Sequence, residues 1–107
     1  MVKRKLPQKI ISEVKKYKKL LEADNLPIKG VYVFGSYAKG TPHKWSDIDV
    51  CIISPRFGNA WDALTYLRAK LPYGKGWIIE PIGFSPNDFE SKYSSLINEI
   101  KTYGVEV

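Results

Sequence analysis

The sequence predicts an α/β (α+β) fold, a small mixed β-sheet covered by helices, and three observations predict it. The hydrophobic patterns run helix, strand, turn, strand, helix, strand, helix. The chain has 107 residues, enough for one modest core and too few for a second, so residues 1–107 read as a single domain. Its composition, 44% hydrophobic and 26% charged, is that of an ordinary globular chain rather than a disordered or fibrous one.

The first element is a helix over Pro7 to Asn25. Ile10, Ile11, Val14, Tyr17, Leu20 and Leu21 fall near the spacing of one apolar stripe. Asn25-Leu26-Pro27 ends it and leads into a strand over Ile28 to Phe34. That strand stops at Gly35-Ser36, where the chain must turn, and a helical turn starts at Tyr37. Thr41 to Lys44 reads as a loop. Ser46-Asp47-Ile48-Asp49-Val50 then continues into Cys51-Ile52-Ile53 as a second buried strand.

Ser54 to Gly58 is a turn, and Asn59 caps the next helix with Asp62 three residues on, a capping-box arrangement. Ala60, Ala63, Leu64, Leu67 and Leu71 form its apolar face, and Pro72-Tyr73-Gly74 stops it. A third strand runs from Trp77 to Phe84. Pro81 inside it cannot donate to a ladder, which points to an edge position or a strand end. Ser85-Pro86-Asn87-Asp88 is a strong helix start, and Phe89, Tyr93, Leu96, Ile97 and Ile100 carry the stripe of one helix through to Lys101. Gly104 ends it, leaving Val105 to Val107 as an extended tail.

Several functional classes are excluded or disfavoured by the same reading. No apolar run approaches the ~20 residues that span a bilayer, and the basic start is not followed by the apolar core of a signal peptide. The single cysteine, Cys51, excludes an internal disulfide framework and reads as a buried structural thiol. These features give a cytoplasmic protein with no membrane partner. The net charge is +6, with lysines crowded on the solvated face of the first helix. Such a face is ordinary soluble surface, with attraction of nucleotides, RNA or an acidic partner as its functional rivals. The aromatic among these lysines, Tyr17, falls in the apolar stripe, so they carry no row of base-stacking rings and nucleic acid is not the favoured partner.

The candidate chemistry lies between Val31 and Ser54. In a strand, Asp47 and Asp49 point to one face while Ile48 and Val50 point to the other. Two like charges 4 Å apart repel by roughly 1 kcal/mol in water and roughly 4 kcal/mol near a protein surface. Burying one flanking Ile or Val returns about 1.5–3 kcal/mol, so the pair favours a compensating cation. Hard oxygen donors with open positions suit magnesium, completed by a nucleotide's phosphates. Taken alone, Asp-x-Asp is more often the solvated start of a strand. The Gly35-Ser36 turn upstream adds a close backbone approach, a hydroxyl and amides that attract anions. It fits neither a Walker A loop nor a dinucleotide fingerprint. Lone His43 reads as surface, and Trp45 reads equally as a base-stacking or a packing residue.

Gly35-Ser36-Tyr37-Ala38-Lys39-Gly40, followed by Ser46-Asp47-Ile48-Asp49-Val50, resembles the signature of the polymerase-beta-like nucleotidyltransferases. The closer likeness is to their minimal branch, the MNT proteins, and the order of elements extends it over most of the chain. The resemblance implies the polymerase-beta-like nucleotidyltransferase fold and a transfer of a nucleoside monophosphate, AMP from ATP, to a hydroxyl acceptor. It implies that Asp47 and Asp49 hold two magnesium ions. Glu80, the acid of the third strand, would supply the third carboxylate and take the acceptor's proton. Gly35 and Ser36 would hold the β- and γ-phosphates, and Lys39 would assist, although exposure alone accounts for a lysine there.

Minimal chains of this family commonly pair with a helical HEPN protein, often a toxin ribonuclease. The resemblance therefore implies the antitoxin of a toxin–antitoxin pair, acting on a HEPN partner. Two alternatives stay open: a small-molecule adenylyltransferase completed by self-association, and a binding module that neutralises its HEPN partner by contact alone.

Overall fold

The structure, a computed structural model, describes residues 5–42, 47–71 and 79–107. The elements run α1 (Gln8–Ala23), β1 (Gly30–Phe34), α2 (Ser36–Lys39), β2 (Ile48–Ile53), α3 (Ala60–Ala69), β3 (Ile79–Phe84), α4 (Pro86–Phe89), α5 (Ser95–Tyr103) and β4 (Val105–Glu106). The four strands form one mixed sheet in the order β3-β2-β1-β4. β1 is antiparallel to both β2 and β4, whereas β2 and β3 run parallel, a pairing that needs the crossover α3 supplies.

Strand alternation divides the core in two. Val31, Val33, Ile48, Val50 and Ile52 face α1 and α3, where Ile10, Val14, Tyr17, Leu21, Ala63 and Leu67 meet them. Tyr32, Phe34, Cys51, Ile53, Ile82 and Phe84 face the other way, where Phe89 and Ile100 of α4 and α5 cover them. Helices therefore sit on both faces of the sheet. Tyr17 Oη donates to the Leu67 carbonyl at 2.6 Å, tying α1 to α3 inside the first core. At the end of α1, Asp24 accepts from Tyr66 at 2.5 Å and from Lys70 at 3.3 Å, so α3 also holds the helix terminus.

The predicted caps form. Asn59 Oδ1 accepts from the Asp62 amide at 2.8 Å, and Ser85 Oγ accepts from the Asp88 amide at 3.1 Å. Two expectations need correction. Leu20 does not join the stripe of α1, because Ile10, Val14, Tyr17 and Leu21 fill the buried face and leave it 46% exposed. The tail is extended, as expected, and Val105–Glu106 goes further by adding a strand to β1.

The last helix is also not continuous. It breaks after Glu90 and restarts at Ser95, because local serines compete with helical bonding. Ser91 Oγ accepts from the Tyr93 amide at 3.3 Å and Ser94 Oγ caps the Ile97 amide at 3.1 Å. The break turns Tyr93 outward, and it is 98% exposed instead of packed. Among the described residues no helix is long and apolar enough to cross a membrane. The expected stop at Pro72-Tyr73-Gly74 and the first residues of the third strand lie outside the described residues.

Candidate nucleotide site

Two register relations assemble the site. In the antiparallel pair Phe34 lies opposite Asp49, so Gly35, the next residue, comes up against the Asp49 side chain. In the parallel pair Asp49 lies beside Glu80. Both carboxylates follow the alternation of their strands onto the α5 side of the sheet, at the end of the second core.

Asp47 differs from its expected setting. The strand begins at Ile48, so Asp47 stands just before it and is not placed by the pleat. Its carboxylate nevertheless lies within hydrogen-bond reach of Glu80. That contact, then burial and the Asp47 and Asp49 charges, hold the Glu80 carboxyl above its ordinary range, with Arg68 of α3 opposing them. Asp49 is half-buried, and burial followed by the charges of Asp47 and Glu99 raises its carboxyl as well.

The turn that meets these acids has an unusual backbone. Gly35 has φ 73° and ψ −149°, a region essentially restricted to glycine. A Cβ there would collide with the Asp49 carboxylate. The missing side chain thus leaves Asp49 space directly beside the turn. Ser36 opens α2, and Gly40 closes it in the left-handed conformation at φ 75°. The short helix packs inward through Tyr37 and Ala38.

Lys39, expected to assist with phosphate, is engaged elsewhere. Its Nζ donates to Glu99 Oε1 of α5 at 2.5 Å and lies 5.4 Å from the centre of the Tyr103 ring. The Glu99 bond holds the Lys39 ammonium above its ordinary range. Glu99 was not among the expected site residues. Sixty positions separate it from Lys39, and nothing local in the last helix marks it.

Whether this acid set fits a cation can be judged from its donors. All three side chains offer hard carboxylate oxygens, the neighbouring acid charges raise the proton affinity of Asp49 and Glu80, and Gly35 lets the Asp49 carboxylate lie directly against the turn. Among the described residues no three Asp, Glu, His or Cys side chains converge tightly enough to cage a metal by themselves. The set therefore fits a hard cation whose remaining oxygens come from a ligand, rather than a closed structural site. His43, Trp45 and Ser46 lie outside the described residues.

A family model described as nucleotidyltransferase domain matches residues 9–106. No curated protein matches the chain closely enough to add to it. Among solved structures, a toxin–antitoxin crystallised with AMP-PNP is 26% identical, at a TM-score of 0.53 over 86% of this chain and 69% of that one. A crystal structure assigned as a nucleotidyltransferase from Sulfolobus solfataricus is 24% identical, at a TM-score of 0.51 over 78% and 79% of the two chains. A mutant of the toxin–antitoxin MntA–HpeT is 22% identical, at a TM-score of 0.52 over 86% and 69%, and supports the fold. The family match takes in both strands of the acidic motif, the Gly-Ser turn between them and the α/β frame behind. The chain belongs to the nucleotidyltransferase domain family, within the polymerase-beta-like superfamily whose signature its turn and aspartates resemble.

Proposed function

We propose that residues 1–107 act as one minimal domain that transfers AMP from ATP to a hydroxyl of a HEPN-type protein partner, as the antitoxin of a toxin–antitoxin pair. The observation that carries this reading is Asp49, set beside Glu80 by the strand register and left open towards the Gly35 turn. The 26% identical toxin–antitoxin crystallised with AMP-PNP supports both the nucleotide and the kind of partner.

In this reading Gly35 and Ser36 receive the β- and γ-phosphates, and the glycine lets the backbone approach them closely. Asp47, Asp49 and Glu80 would hold magnesium, which when bound stabilises charge on the phosphate oxygens and lowers the pKa of the attacking hydroxyl. Glu80 is exposed at the strand edge, within reach of an incoming acceptor, and its raised proton affinity suits it to take the hydroxyl proton. Asp49, deeper against the turn, orients the triphosphate so that pyrophosphate leaves in line.

The test is to incubate the protein with magnesium, labelled ATP and the product of the neighbouring gene. Label on that product, lost on Asp49→Asn, is the expected result. Neutralisation of the neighbour that survives Asp47→Asn and Asp49→Asn without label would replace the enzyme by a binding module. Label entering a small molecule instead would identify a small-molecule adenylyltransferase.

A further inference from the structure

We propose that Glu99 of α5 is a positioning residue that holds Lys39 in the nucleotide-free protein and competes with the triphosphate for it. The inference rests on the transferase reading and adds a residue that the motif does not contain. Lys39 lies four residues beyond Gly35, at the end of the short helix that starts from the phosphate-facing turn. Its ammonium is a point charge on a flexible four-carbon stem, able to change partners without backbone movement. Without ligand, α5 grips it on two sides, Glu99 accepting its hydrogen bond and Tyr103, one helical turn further, offering its ring face.

Glu99 is not a remote surface acid. The pair sits at the end of the short helix that opens from the Gly35 turn, at the rim of the acidic site, and the Glu99 charge is felt at Asp49. Both side chains keep substantial exposure, at 40% for Lys39 and 32% for Glu99, which leaves the ion pair open to exchange. A triphosphate arriving at Gly35-Ser36 meets two effects at this rim, both of which work against it. Glu99 repels its charge, and Lys39 is available only by leaving Glu99. A nucleotide without β- and γ-phosphates meets neither to the same degree, so Glu99 discriminates by phosphate number.

The experiment is titration of ATP with magnesium, and of AMP, against the wild type, Glu99→Gln, Lys39→Ala and the double variant. Glu99→Gln is expected to tighten ATP by about two- to fivefold, the range of an exposed ion pair, and to leave AMP unchanged. In the Lys39→Ala background the same substitution should give a clearly smaller gain. Glu99→Asp, which keeps the charge on a shorter arm, should fall between wild type and Glu99→Gln, and it carries the comparison if the glutamine variant folds poorly. A merely structural Glu99 would lower the melting temperature without separating ATP from AMP, and that result overturns the proposal. An equal gain with and without Lys39 overturns it too. Wild type that binds ATP while Glu99→Gln is indifferent sinks this inference alone, whereas wild type that binds no ATP sinks the transferase reading with it.

Discussion

Gly35 and Asp49 share a space that only a glycine leaves open: a Cβ at position 35 would strike the Asp49 carboxylate. The backbone there also lies in a region that other residues enter at a cost of about 1–3 kcal/mol. Gly35→Ala should therefore destabilise the fold by about that amount and displace Asp49, abolishing ATP binding. Gly58→Ala is the control, since a Cβ there meets nothing within 4 Å. Chemical denaturation and nucleotide titration of both variants measure the difference.

The acids give a pH prediction. Asp49 has its folded pKa raised above the ordinary 3.8 by burial and by neighbouring charge. Its contribution to stability is complete below that value and is lost as pH rises through the folded pKa, because the folded state then carries a charge it disfavours. Asp49→Asn should raise the melting temperature of the ligand-free protein at neutral pH, with the gain shrinking as pH falls through the raised folded pKa and gone below the ordinary 3.8. The same variant should transfer no label. A melting-temperature series across acid pH decides the point.

Tyr17→Phe should cost about 0.5–1.5 kcal/mol by removing the buried bond to the Leu67 carbonyl. That bond lies under the α1–α3 face, across the sheet from the acids. Nucleotide affinity at temperatures where the variant stays folded should match the wild type.

Cys51 is fully buried, and burial pushes its thiol up to about 12. A thiol reagent at neutral pH should label it only as fast as the chain opens. Labelling rates that fall in step with added stability check this.

How much of this was legible in the sequence depended on how local the cause was. The caps at Asn59 and Ser85 were readable because a cap and its amide lie three residues apart. The strands of the motif were readable from their apolar runs, whereas the face shared by Asp49 and Glu80 comes from the pairing register of β2 and β3, which no single strand's pattern states. The split of the last helix was less so, because phenylalanine, tyrosine, leucine and isoleucine keep helical spacing across a run of serines that prefers to cap. Glu99 was beyond reach. Its role comes from α5 lying over the site, a tertiary fact with no trace in the spacing of its neighbours. Leu20 and Leu21 show the limit within a single helix, since both keep the spacing of the stripe and only packing buries Leu21 while leaving Leu20 46% exposed.

Pro81 lies one residue beyond Glu80 on β3, the strand at one border of the sheet. A ring there offers no amide hydrogen to a visiting strand, so an additional chain cannot zip on past that point. The rim next to the exposed Glu80 carboxylate therefore resists being sealed by backbone pairing. A protein acceptor would have to present a side chain to this border instead of a ribbon, the geometry that a single reacting hydroxyl calls for.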